Sequence, residues 1–160
     1  MSKIVQPGEL APDFEAYDQN GTLVSLKDFA SFWLILYFYP KDNTPGCTTE
    51  AKDFTVYANE FKELGAIIVG VSPDSQKSHC NFISKQQLSL QLLSDPEHKL
   101  AEAYGVWGLK KFMGKEYMGI IRSTFLIAPD RTIKHAWGNV KVKNHVEMVL
   151  AKLKEFVHGS

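Results

Sequence analysis

Two side chains capable of covalent chemistry stand out, Cys47 and Cys80, 33 positions apart. That separation makes neither a Cys-x-x-Cys redox pair nor a zinc-spaced cluster. Cys47 follows Thr44–Pro45–Gly46 and precedes Thr48–Thr49–Glu50. Thr44 suits a helix N-cap, and Pro45 suits the first helical position, where its missing N–H would be unbonded anyway. Counting from that cap puts Cys47 in the first turn, where unpaired backbone N–H groups and the positive end of the helix dipole favour an anion. A thiol so placed gives up its proton more readily than a free one, and the thiolate is the nucleophile. Gly46 lets a substrate approach the backbone closely. The rival reading of Cys47 is a small core hydrophobe. A core cysteine does not require a Thr-Pro-Gly preface at a strand-to-helix junction, so the reactive reading is favoured.

The surrounding elements must hold that junction. Trp33–Leu34–Ile35–Leu36–Tyr37–Phe38–Tyr39 is apolar without alternation, as in a strand covered on both faces. A helix is expected from about Pro45 to Leu64, with Cys47, Ala51, Phe54, Ala58 and Phe61 on one apolar face and Gly65 as its stop. Ala66 to Val71 reads as a second buried strand, giving a parallel crossover unit. Ahead of it, Phe14–Tyr17 and Thr22–Leu26 flank an Asn-Gly turn and predict a hairpin. Behind it come a helix over about Ser75–Gln87, a short helix opened by Asp95–Pro96–Glu97 and stopped by Gly105, and a strand over Ile120–Ile127. The segment around Trp107 with Lys110–Lys111 reads as a loop. A turn at Ala128–Arg131 leads into a strand over Thr132–Trp137. Asn144 and Glu147 suggest a capping box for a last helix whose buried face is Val146, Val149, Leu150, Leu153 and Val157. The sum is an α/β fold with a mixed central sheet flanked by helices and an N-terminal β-hairpin.

Without repeats or a Gly/Ser/Pro-rich linker, residues 1–160 read as one domain, large enough to hold a core without disulfide or metal. The 18 basic and 18 acidic side chains cancel, which gives no electrostatic reason to expect nucleic acid or an acidic membrane as partner. Met1–Ser2–Lys3 opens no signal-peptide pattern, and the apolar run Phe32–Tyr39 is too short to cross a bilayer, so a cytoplasmic address is expected. The histidines His79, His98, His135, His145 and His158 show no paired ligand spacing, and His79 reads as a surface residue beside Cys80. No metal and no organic cofactor are expected.

The stretch Tyr37–Phe38–Tyr39–Pro40–Lys41–Asp42–Asn43–Thr44–Pro45–Gly46–Cys47–Thr48–Thr49–Glu50 resembles the peroxiredoxin motif built on Pro40, Thr44 and Cys47. With Leu92–Leu93–Ser94–Asp95, Tyr104–Gly105–Val106–Trp107–Gly108 and Arg122–Ser123–Thr124–Phe125–Leu126–Ile127, it resembles the bacterioferritin-comigratory-protein, or Q, branch. The resemblance runs from about Pro7 to near the C-terminus. It implies a thioredoxin-like fold and a thiol peroxidase in which Cys47 attacks the peroxide and becomes a sulfenic acid. By the same resemblance Thr44 hydrogen-bonds substrate and thiolate, Arg122 stabilises the thiolate from a strand beside the helix start, and Pro40 shapes and shields the pocket. Preorganised donors aimed at charge that spreads between oxygens lower such a barrier. Thr44 as a mere cap and Arg122 as a surface arginine are the bland rivals. Glu50, one turn from Cys47, would alone disfavour the thiolate and reads as orienting an arginine.

The resemblance implies a hydroperoxide substrate, thioredoxin or a similar thiol as reductant, and a monomer. It leaves the resolving thiol open. Many members carry it five residues after the first, where this chain has Lys52. Others carry it on the next helix, at a position aligning with Ile83, one turn beyond Cys80. Either Cys80 resolves Cys47 after local unwinding or an external thiol does so and Cys80 is structural. Other classes are a thiol-based redox sensor or disulfide oxidoreductase, a cysteine hydrolase, and an inert binding module. The first lacks a nearby second thiol, and the second lacks a recognisable histidine base.

Overall fold

The computed structural model describes residues 4–159; Met1–Ser2–Lys3, read above for a leader, lies outside them. The chain runs β1 (Glu15–Asp18), β2 (Leu23–Ser25), a short 3-10 turn (Leu26–Phe29), β3 (Trp33–Phe38), α1 (Pro45–Val56), α2 (Ala58–Glu63) and β4 (Ala66–Ser72). It continues through α3 (Gln76–Gln86), β5 (Gln91–Ser94), α4 (Lys99–Ala103), β6 (Trp107–Phe112), β7 (Lys115–Ile120), β8 (Ser123–Ile127), β9 (Ile133–Trp137) and α5 (His145–Val157). Seven strands form one mixed sheet in the order β2-β1-β5-β4-β3-β8-β9.

The apolar run of β3 belongs at the centre, where both faces need cover. It pairs in parallel with β4 and antiparallel with β8. Its alternate residues serve two cores. Leu34, Leu36 and Phe38 join Phe125, Tyr104 and Val71 on one face; Ile35, Tyr37 and Tyr39 join Cys47, Phe54, Phe82 and Leu153 on the other. The β3–α1–β4 crossover leaves the start of α1 at the C-terminal end of the parallel strands, where such sheets bind ligands.

The N-terminal hairpin forms as expected, with Gly21 at φ 77° in its turn. The predicted helix over 45–64 is interrupted. At Tyr57 ψ opens to 6°, and α1 passes into α2 with Phe54 and Phe61 both still buried. Gly65, at φ 78°, ends it. Asp95 does cap α4, but the helix starts at Lys99 rather than beside Pro96. His98 at φ 62° swings the chain, so Asp95 accepts from the N–H groups of Leu100 and Ala101. At the last helix the capping box is absent: Asn144 lies at φ 62°, a backbone that turns its side chain away from the helical N–H groups.

The Trp107 segment is not a loop. β6 and β7 form a two-stranded antiparallel arm that turns at Met113–Gly114, both at positive φ. The strand expected over 120–127 is also split, since β7 ends at Ile120 and β8 begins at Ser123. Arg122 therefore occupies the kink between two strands, its carbonyl accepting from Val140 N–H. Among the described residues no helix is long and apolar enough to cross a membrane.

Candidate active site

Thr44 takes the extended backbone of an N-cap (φ −85°, ψ 155°), and its carbonyl accepts the Thr48 N–H. Its side chain makes no cap bond. The hydroxyl instead donates to the Lys41 carbonyl at 2.8 Å, tightening the loop that enters α1. Pro45 is the first helical residue, so Cys47 sits in the first turn as its sequence position requires.

Cys47 is 1% exposed and belongs to the apolar cluster under β3. It is not chemically isolated. Arg122 Nη2 lies 3.3 Å from Cys47 Sγ, and Nη1 of the same guanidinium donates to Glu50 Oε1 at 2.7 Å. The planar fork of arginine meets both partners at once. Gly46 makes this approach possible, because a Cβ there would stand 3.3 Å from Arg122 Nη2. Thr44, Gly46 and Pro40 are half-buried, and Arg122 keeps 17% of its side chain exposed.

Glu50 is fully buried, and among the described residues its Oε2 has no hydrogen-bond partner. Burial pushes its carboxyl up to about 7, against the pull of the Arg122 charge and hydrogen bond. Arg122 is itself raised: burial opposes its charge, but Glu50 and Cys47 outweigh that cost. Tyr37, beneath the site, is held well above the usual phenol range by burial first and by Glu50 and Cys47 next. His145, whose Nε2 lies 2.8 Å from the Thr124 hydroxyl, is pushed down to about 4 by burial and by Arg122. Lys110 of β6 was given no role from sequence. It donates to the Ile120 carbonyl at 2.8 Å, and burial and Arg122 lower its pKa.

Cys80 lies elsewhere. It is exposed on α3 and donates to the Gln19 carbonyl at 2.9 Å. Both cysteines are free thiols. His79, expected at the surface, is fully buried: its Nδ1 lies 2.8 Å from Asp42 Oδ2 and its Nε2 2.9 Å from the Leu93 carbonyl. Adjacent helix positions point apart, so His79 turns inward where Cys80 turns outward.

Residues 7–136 match the AhpC/TSA family. Peroxiredoxin Bcp of Bacillus subtilis is 53% identical over 151 residues, 94% of this chain and 96% of its own. A cysteine-to-serine variant of Xylella fastidiosa PrxQ superposes at a TM-score of 0.91, with 39% identity, over 98% of this chain and 99% of its own. Two cysteine-to-serine variants of Xanthomonas campestris Peroxiredoxin Q superpose at 0.87, with 43% and 44% identity, over 96% of this chain and 97% of theirs. The cysteines substituted in those two variants lie 36 positions apart, and the residue at that separation from Cys47 in this chain is Ile83. The fold is thioredoxin-like, and the chain belongs to the AhpC/TSA family, in its Bcp/Q peroxiredoxin branch.

Proposed function

We propose that this protein is a thiol-specific peroxidase, one thioredoxin-like domain over residues 1–160, that reduces hydrogen peroxide and organic hydroperoxides through Cys47. The observation that carries the reading is the Arg122 guanidinium 3.3 Å from a sulfur in the first turn of α1. The Cys47 thiolate attacks the terminal peroxide oxygen; the S–O bond forms, the O–O bond breaks, and the departing alkoxide or hydroxide takes a proton from solvent. Negative charge moves from sulfur to the leaving oxygen, and the Arg122 N–H groups and the α1 N-terminus stabilise it along that path. Thr44 stands beside the approach as a hydroxyl partner for the peroxide, and Pro40 covers the resulting sulfenic acid. Peroxide consumption with a dithiol reductant tests this: the native protein turns over, and Cys47→Ser does not. Equal consumption by the two would leave the inert-module reading standing.

The reductant in this proposal is thioredoxin or a similar thiol, acting on a monomer in the cytoplasm. Cys80 is the candidate resolving thiol. Its exposure on the helix that bears Ile83 supports the role, and its distance in sequence from the related cysteine position favours direct reduction by an external thiol instead. Mass spectrometry after one equivalent of peroxide decides between them: loss of two hydrogens with linked Cys47 and Cys80 peptides supports resolution. Normal thioredoxin-driven turnover by Cys80→Ser removes it. A redox sensor or disulfide oxidoreductase on the same fold would show oxidation of Cys47 without sustained turnover.

A further inference from the structure

Asp42 lies in the loop between β3 and α1, two residues before Thr44. Both oxygens of its side chain are engaged: the Tyr39 hydroxyl donates to Oδ1 at 2.6 Å, the Ser78 hydroxyl donates to Oδ2 at 2.7 Å, and His79 Nδ1 approaches Oδ2 at 2.8 Å. Its backbone N–H donates to Asp74 Oδ2, which also accepts from Ser72. The Leu93 carbonyl can only accept, so His79 Nε2 carries a hydrogen, and the contact between Nδ1 and Asp42 needs a second proton shared by the pair. Asp42, Asp74 and His79 lie close enough together to suggest a metal site, but both Asp42 oxygens, Asp74 Oδ2 and both His79 ring nitrogens are already engaged by protein donors or acceptors. The cluster is a hydrogen-bonded clasp.

The clasp joins three elements: the loop carrying Pro40 and Thr44, the first turn of α3 with Ser78 and His79, and β5 through Leu93. The next residue along α3 is Cys80. We propose that Asp42 and His79 are positioning residues that latch the two half-reactions together. Closed, the clasp holds the Thr44 loop against the α1 N-terminus for peroxide attack. Open, it frees the first turns of α3, and the Cys80 thiol meets the sulfenic acid; the S–S bond forms, the S–O bond breaks, and water leaves with the Cys80 proton. The second half rests on the resolving role given to Cys80 above.

His79→Gln offers one donor nitrogen where the imidazole has two, so it cannot donate to Asp42 and to the Leu93 carbonyl from opposite sides as the ring does. Stopped-flow kinetics would follow sulfenic acid formation, and acid quench with mass spectrometry would follow the Cys47–Cys80 disulfide. The peroxide step slows by about tenfold or more as the loop loses its placement. The disulfide step accelerates by about tenfold, the effect of losing one hydrogen bond to a charged group. A residue with a merely structural role would slow both steps or neither, and either result overturns the latch. Ser78→Ala, which removes one neutral donor from the same carboxylate, shifts both steps in the same opposite directions by a smaller factor and guards against a folding defect. Native protein that forms no Cys47–Cys80 disulfide overturns the resolving reading and with it the latch. Native protein that forms the disulfide while both variants match its two rates overturns the latch alone.

Discussion

Replacing Arg122 with Met separates chemistry from stability, and the structure sets both sizes. The substitution removes the donor at 3.3 Å from Cys47 Sγ and the 2.7 Å bond to Glu50. Losing one preorganised donor to shifting charge lowers a rate by about a hundred- to a thousandfold. The stability effect depends on Glu50. Its carboxyl sits at about 7 with Arg122 in place, so at pH 7 the ionised form adds only about 0.4 kcal/mol over the neutral one. Without Arg122 both lowering influences vanish, so burial holds the Glu50 carboxyl still further above its usual range in the folded protein, while in the unfolded chain it is ionised at neutral pH. The folded state then binds more protons than the unfolded one, so stability falls as pH rises above 7, by up to about 1.4 kcal/mol per pH unit. Below pH 6 the two proteins differ little in this respect. The assay is the second-order rate with hydrogen peroxide at pH 7, together with calorimetric stability at pH 6, 7, 8 and 9. A rate within tenfold of native refutes the role of Arg122, and a variant already several kcal/mol less stable at pH 6 refutes the account of Glu50.

Native protein follows the same linkage with its own window. Burial raises the Glu50 carboxyl from 4.5 to about 7, so its contribution is full below 4.5 and about 3 kcal/mol is lost by pH 7; Glu50→Gln flattens that part of the stability–pH curve. In Gly46→Ala the new Cβ stands 3.3 Å from Arg122 Nη2 and displaces the guanidinium, so peroxide reactivity falls by about tenfold or more while the melting temperature holds or rises. Thr44→Val removes the hydroxyl that bonds the Lys41 carbonyl and slows the peroxide step, whereas Thr44→Ser restores most of the rate in the same assay. Gly70→Ala places a Cβ 2.8 Å from Leu92 and Tyr37 in the packed core and costs about 1–3 kcal/mol by denaturant titration.

Where local pattern decides structure, the sequence was legible. The unbroken apolar run of β3, the Pro45 start of α1, the stop at Gly65 and the apolar face of α5 all follow from periodicity and capping chemistry. The β6–β7 arm was not legible, because its turn is Met113–Gly114 rather than Asn-Gly and its strands expose most of their side chains instead of alternating. Thr44 and Asn144 have the composition of helix caps, but one hydroxyl is drawn to Lys41 and the other backbone turns left-handed. At the site, the position of Cys47 in the first turn was readable locally. The resemblance anticipated the arm of the Arg122 fork that meets Cys47, whereas the arm that spans 72 residues to Glu50 was anticipated by the reading that Glu50 orients an arginine. His79 was misjudged because its partner Asp42 lies 37 residues away and nothing on α3 itself announces a buried carboxylate.

The most direct test of the central claim uses Cys80→Ser, which leaves Cys47 as the sole cysteine, exposed to one equivalent of hydrogen peroxide with a sulfenic-acid-specific carbon nucleophile present. Peptide mass spectrometry should find a single adduct, on Cys47, formed fast enough to outcompete a free thiol for the peroxide. An unmodified Cys47, or one that reacts no faster than free cysteine, would contradict the view that Arg122 and the start of α1 make this sulfur a peroxide-reducing nucleophile.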